Sequence, residues 1–106
     1  MSTFDDRERQ FEAKYGHDQE LQFKVQVRRN RLLGHWAAER MQLTGDASDA
    51  YAKEVVSSDF DKPGDDDVLQ KVLADLNAKG VSVDARDVRI KMDELLAVAK
   101  KQIMEA

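Results

Sequence analysis

The stretch LQFKVQVRRNRLLGHWAAERMQL, residues 21–43, decides the fold of this 106-residue chain. It starts with the alternating pattern of a short strand, but its apolar residues continue at helical spacing for about twenty residues. On a helical wheel they lie on two sides, formed by Leu21, Val25, Leu32, Trp36 and Leu43 and by Phe23, Val27, Ala37, Ala38 and Met41. A helix that is apolar on two sides is contacted on two sides. We therefore predict a central helix from about Asp18 to Leu43, ended by Thr44 and Gly45.

Three further helices are predicted after this one, each with apolar residues at helical spacing. Capping residues place their starts at Asp46 or Ser48, at Asp65 and at Asp84. Short loops join the four helices, which is typical of an antiparallel bundle. The predicted fold class is all-α, with residues 19–106 forming a four-helix bundle domain.

The N-terminal segment, residues 1–18, has a different pattern, and we expect it to be flexible or partly helical. Its aromatic residues are Phe4, Phe11 and Tyr15. They share one side of a helical wheel, but the seam they form is too narrow for a core face. Gly16 and His17 interrupt it, and we predict a hinge there. Three interpretations remain: the rings fold back on the bundle, the long helix continues through them, or the segment docks into a partner's groove.

The composition argues against an enzyme. The chain has no cysteine, and neither His17 nor His35 has a second histidine at the spacing of a helical metal pair. A glycine-rich phosphate loop is absent as well, so we predict no catalytic residue, no metal and no cofactor. No apolar run approaches the roughly 20 residues that span a bilayer, and the acidic N-terminus is unlike a secretory signal. We expect a cytoplasmic protein without direct membrane insertion.

The net charge is −4, but residues 21–45 carry five basic residues and one acidic residue. A basic stripe along the long helix is formed by Lys24, Arg28, Arg31 and His35, whereas Arg29 points about 100° away from Arg28. Such a stripe can bind phosphate groups or an acidic partner, or it can pair with the chain's own acidic helices. We favour internal pairing. Acidic segments on both sides argue against nucleic acid as a partner.

Four blocks of the sequence together resemble the zeta subunit family of alphaproteobacterial F-type ATP synthases. The blocks are FDDRERQFEAKY (4–15), RRNRLLGHWAAERMQLTG (28–45), YAKEVVSSDF (51–60) and PGDDDVLQKV (63–72). The similarity runs from Thr3 to about Ile103. It implies a four-helix bundle that inhibits ATP hydrolysis by the catalytic head of the synthase, peripheral to the inner membrane when bound.

The resemblance also implies how inhibition works. An N-terminal segment, here about Ser2 to Asp18, would enter the interface between catalytic and non-catalytic subunits near the rotor. The expected partner-binding residues are Phe4, Asp5, Asp6, Arg7, Glu8, Phe11, Lys14 and Tyr15. We infer that the rings anchor in apolar pockets while Arg7, Glu8 and Lys14 pair with charges that line the cleft. The alternatives are a helical module that binds a small anion or nucleotide at the basic stripe, and a non-inhibitory assembly or structural subunit.

Overall fold

The computed structural model describes the backbone of residues 3–106 and the side chains of residues 5–106. Over these residues the chain forms α1 (Thr3–Tyr15), α2 (Gln19–Arg40), α3 (Asp46–Asp61), α4 (Asp65–Ala78) and α5 (Ala85–Glu105). The all-α prediction is confirmed. The described part of the chain has five helices rather than four, because the N-terminal segment is itself helical. None of these helices is both long and apolar enough to cross a membrane.

Helix α2 is the central element, because it packs against each of the other four helices that the structure describes. Its buried residues are Val25, Arg29, Asn30, Leu33, Gly34, Ala37 and Ala38. Gly34 brings α2 and α3 close together, since a Cβ atom at this position would lie 2.6 Å from Cα of Ala52. Central packing agrees with the sequence, but the buried face differs. Leu33 and Gly34 belong to neither predicted apolar side, whereas Phe23 is 51% exposed.

The hydrophobic core lies between α2, α3, α4 and α5. Its members are Leu33, Ala37, Ala38, Tyr51, Val55, Val68, Leu69, Val72, Leu76, Val88 and Met92. Trp36 packs against this core from its edge, with Arg40 and Lys91 lying 5.5 and 5.8 Å from its ring. No described residue of α1 belongs to the core, so the helices after residue 18 build it by themselves.

Three predicted helix boundaries are wrong: the end of α2, the cap of α3 at Asp46 or Ser48, and the cap of α4 at Asp65. Helix α2 stops at Arg40, and Gln42 takes a positive φ of 64° that turns the chain before Gly45 is reached. Gly45 instead precedes α3 as its N-cap residue, with φ 55°. Helix α4 is preceded by Gly64, and Asp65 lies in its first turn rather than at the cap. A carboxylate in the first turn still favours the helix, because it faces the positive end of the helix dipole.

Candidate functional site

A three-residue turn joins α1 to α2 and breaks the helix where the sequence predicts it. Gly16 and His17 continue the hydrogen bonds of the last turn of α1, and Asp18 caps α2 by accepting a backbone N–H at 3.1 Å. The side-chain amide of Gln22 donates to the carbonyl oxygen of Tyr15 at 2.7 Å, which satisfies an open end of α1. The break at Gly16 and His17 is thus a defined turn, and hinge motion there remains a prediction.

Lys100 of α5 makes the main polar contacts with α1. Its Nζ atom lies 3.5 Å from Oε2 of Glu12 and 4.3 Å from the ring centroid of Tyr15. The rings of Phe11 and Tyr15 stack with centroids 6.3 Å apart, and both side chains are half-buried. The described part of the aromatic seam therefore lies back on the bundle, which is one of the three interpretations that the sequence left open.

The contact between α1 and α5 leaves a groove that is open to solvent. An open groove of about 380 Å³ separates parts of the two helices, and it is lined by Phe11 from α1 and by Leu96, Ala97 and Met104 from α5. Among the described side chains, the ion pair and the ring contact that join α1 to Lys100 both lie in the C-terminal part of α1.

The charged residues of α1 that were predicted to bind a partner are exposed to solvent, and one of them, Glu8, also lines the groove beside α5. They are Asp5, Asp6, Arg7, Glu8 and Lys14, and all five are exposed. Asp5 and Asp6 are in the first turn and Lys14 is in the last, an order that suits the helix dipole. Ser2 and the side chain of Phe4 lie outside the described residues. The structure thus brings Phe11 and Tyr15 together and leaves the predicted charges accessible.

The predicted basic stripe does not act as one unit. Lys24 lies 3.7 Å from Glu20 in the same helix, and Arg28 donates to the side-chain oxygen of Gln102 at 3.2 Å. Arg31 is exposed. His35 instead faces α3, where Asp49 and the Ser48 hydroxyl group lie within 3.8 and 2.9 Å of its ring nitrogens. Internal pairing, which the sequence favoured for the stripe, is strongest at a different arginine.

Arg29 is that arginine, and sequence reasoning missed it. Its side chain is 2% exposed, and Nη2 lies 2.8 Å from Oδ1 of Asp65 at the start of α4. Its Nε donates to Oδ1 of Asn30 at 2.9 Å, and Nδ2 of Asn30 donates to Oδ2 of Asp59 at 2.8 Å. These bonds connect α2 to α3 and α4 and satisfy a buried charge.

Two signals mark this network. Arg29 lies four residues after Val25 and four before Leu33, so the three share the buried face of α2. The hydrogen bond from Arg29 holds the pKa of Asp65 below its usual range, against the opposing effect of burial. The spacing was readable in the sequence, but the partner on α4 was not.

Among the described residues, no cluster of three or more His, Asp or Glu could hold a metal ion.

The fold is that of a small helical protein, in which a core carries an exposed, charged helix at its edge. The chain belongs to the ATPase inhibitor subunit zeta family, whose sequence model matches residues 1–102. The resemblance seen in the sequence is therefore confirmed. Membership in an inhibitor-subunit family makes the chain a regulatory protein rather than an enzyme.

A solved structure supports the fold. It was determined in solution by NMR, and its sequence is 47% identical to this one. The two superpose with a TM-score of 0.70, over 80% of this chain and 96% of that one. None of the curated proteins compared matches this chain.

Proposed function

We propose that this protein inhibits ATP hydrolysis by an F-type ATP synthase, and that α1 inserts into a catalytic interface of the synthase head. One observation carries the proposal beyond the family's role: the described residues of α1 lie outside the core, and one short turn joins this helix to α2. An element placed in this way is able to leave the core without unfolding it. Its exposed charges and half-buried rings match a helix that binds in a groove.

Insertion requires α1 to exchange one set of contacts for another. Phe11 and Tyr15 leave α5 and enter apolar pockets between the catalytic and non-catalytic subunits. Arg7, Glu8 and Lys14 pair with charges that line the cleft. Ordering a disordered backbone costs roughly 1–2 kcal/mol per residue, and a helix that is already formed avoids much of this cost.

The inhibition follows from steric hindrance. A catalytic interface has to open and close as the rotor turns, and a helix wedged into it resists opening. The core built by α2 to α5 stays outside the cleft and keeps α1 in place. Because the helix blocks the interface by its volume, inhibition requires no catalytic residue in the inhibitor.

The proposal is tested by replacing one anchoring ring. Phe11→Ala should raise the concentration for half-inhibition of ATP hydrolysis about ten- to a hundredfold, because a buried aromatic anchor is worth about 2 kcal/mol or more. Ile90→Ala is the matched control, since Ile90 is an exposed apolar residue of α5 outside the α1 groove. Purified synthase head and both variants, checked for folding by circular dichroism, suffice for the assay.

Two outcomes would count against the proposal. Equal inhibition by the wild type and the Phe11 variant would remove this ring from the binding surface. No inhibition by the wild type would favour an assembly or structural subunit instead.

A further inference from the structure

A pair of phenylalanine rings is exposed on the side of the core formed by α2 and α3. Phe23 is 51% exposed and Phe60 is 56% exposed, and their ring centroids lie 5.5 Å apart. The other large apolar residues that the described part of the chain exposes are Ile90 and Val98, both on α5. Two aromatic rings in contact with each other and with water form an apolar surface that a partner can cover.

Shallow grooves extend this pair on both sides. A groove of about 190 Å³ between α2 and α3 adds Val56 and Pro63 to the surface. Another of about 280 Å³ between α2 and α5 adds Ile103. Phe23 and Val27 line both grooves, so the two grooves share apolar residues of α2, with polar side chains such as Gln26 and Asp59 among their other lining residues.

Basic residues border the groove between α2 and α5. They are Lys24, Arg28 and Arg31. The ion pair of Lys24 with Glu20 is long and exposed to solvent, so it neutralises the lysine only weakly. Arg28 bonds to the neutral Gln102, and neither arginine forms an ion pair within the described residues. Within the part of the chain that the structure describes, the surface therefore combines exposed rings with two arginines that form no ion pair and a lysine that forms a weak one.

We propose that Phe23, Val27 and Phe60, with Lys24, Arg28 and Arg31 beside them, form a second docking surface, the aromatic patch, for an acidic amphipathic segment of the ATP synthase. Charge complementarity selects this occupant: its apolar side chains would cover the rings while its carboxylates face the basic residues. Aromatic residues and arginine are also the types enriched at protein interfaces. The identity of the partner complex rests on the proposed function.

The position of the aromatic patch suits a role beside α1. Phe23 lies four residues after the start of α2, or about 6 Å along the helix axis. The turn that carries α1 precedes that start directly. A partner segment bound to the aromatic patch thus fixes the base of α1, and two linked contacts bind more tightly than either alone.

Photo-crosslinking of the full chain tests the occupant. The photoreactive residue p-benzoylphenylalanine is placed at position 60, and at position 90 as a control, and each protein is irradiated with purified ATP synthase. We expect a crosslink from position 60 to a synthase peptide rich in Asp and Glu, and none from position 90. A crosslink to a neutral or basic peptide, to a second copy of this chain, or no crosslink would overturn the proposal.

A charge-reversal pair tests the basic residues. The variant Arg28→Glu/Arg31→Glu should bind immobilised synthase at least about tenfold more weakly and with less dependence on salt. The matched control, Lys79→Glu/Arg86→Glu, makes the same charge change on exposed residues near the opposite end of α5 and should bind like the wild type. Equal binding by both variants would overturn the inference and leave the proposed function intact. A wild type that binds through the aromatic patch without inhibiting hydrolysis would overturn only the proposed function.

Discussion

Arg29 is a charged residue in a place where charges are costly. Its guanidinium group is buried against the core helices, and Asp65 and Asn30 accept its hydrogen bonds. A buried cation is tolerated only when such partners are present. The pair therefore fixes how α4 approaches α2, since another approach would leave the cation without its carboxylate.

The stability of this pair should depend on pH. The folded state lowers the pKa of Asp65, mainly through the hydrogen bond from Arg29, so the pair stabilises the fold above the unfolded pKa of about 3.9. That contribution is lost as the pH falls through the folded pKa. The Asp65 side chain is 47% exposed, so solvent screens part of the interaction. Asp65→Asn should lower the unfolding free energy at neutral pH by about 1 kcal/mol, and the difference from the wild type should shrink at about pH 2.

Urea unfolding at both pH values measures this difference. Asp61→Asn is the control, because Asp61 is exposed and close by in sequence. A gap between wild type and Asp65→Asn that stays constant with pH would show that the carboxylate charge is not responsible.

At the scale of elements, Lys100 of α5 contacts two residues of α1, Glu12 and Tyr15. Lys100→Met keeps most of the side chain's apolar stem but removes the ion pair with Glu12 and the contact with the Tyr15 ring. Partly exposed contacts of this kind are worth about 1 kcal/mol together. We expect faster amide hydrogen exchange over residues 5–15 and inhibition up to about fivefold tighter, since α1 leaves α5 more easily.

Hydrogen exchange over α2 to α5 should not change in this variant. Lys101→Met is the control, because it removes a neighbouring exposed lysine without either contact. Unaltered exchange in α1 of the Lys100 variant would mean that other contacts hold the helix.

Local sequence signals predicted most of the helices. Which face of each helix is buried depends on long-range packing, which these signals do not encode. Asp84 caps α5 as expected, and its side chain and that of Asp87 each accept the other's backbone N–H. The break after Tyr15 was also readable, because glycine weakens a helix. The wheel could not tell which apolar side of α2 is buried. Phe23 stays exposed because its aromatic neighbour on α3, Phe60, is itself exposed and does not cover it.

At the scale of the whole molecule, the core and α1 should be separable. Deleting residues 2–15 removes no described member of the core. The truncated chain should therefore stay folded, with an unfolding free energy within about 1 kcal/mol of the full chain and a Tm within roughly 8 °C. Inhibition of ATP hydrolysis should disappear.

Circular dichroism during heating and the hydrolysis assay provide both readouts. A truncated chain that no longer folds would show that α1 supports the core. One that still inhibits would show that another surface, such as the aromatic patch, is sufficient.

The candidate site was predictable in part for a physical reason. The exposed charges of α1 and the closeness of Phe11 and Tyr15 follow from helical spacing alone. The contacts of Lys100 with Glu12 and Tyr15 join residues more than eighty positions apart, and no local pattern encodes such contacts. The same holds for the pairing of Arg29 with Asp65.

The short turn between α1 and α2 limits how far α1 can extend from the core. Helix α1 has 13 residues and so reaches about 20 Å from the turn. Only three residues join α1 to α2. The N-terminal end of α1 therefore cannot enter a cleft deeper than about this length while the core stays far from the cleft. If α1 enters a cleft as proposed, the core has to lie at the entrance of that cleft, where its volume would obstruct moving subunits in addition to α1 itself.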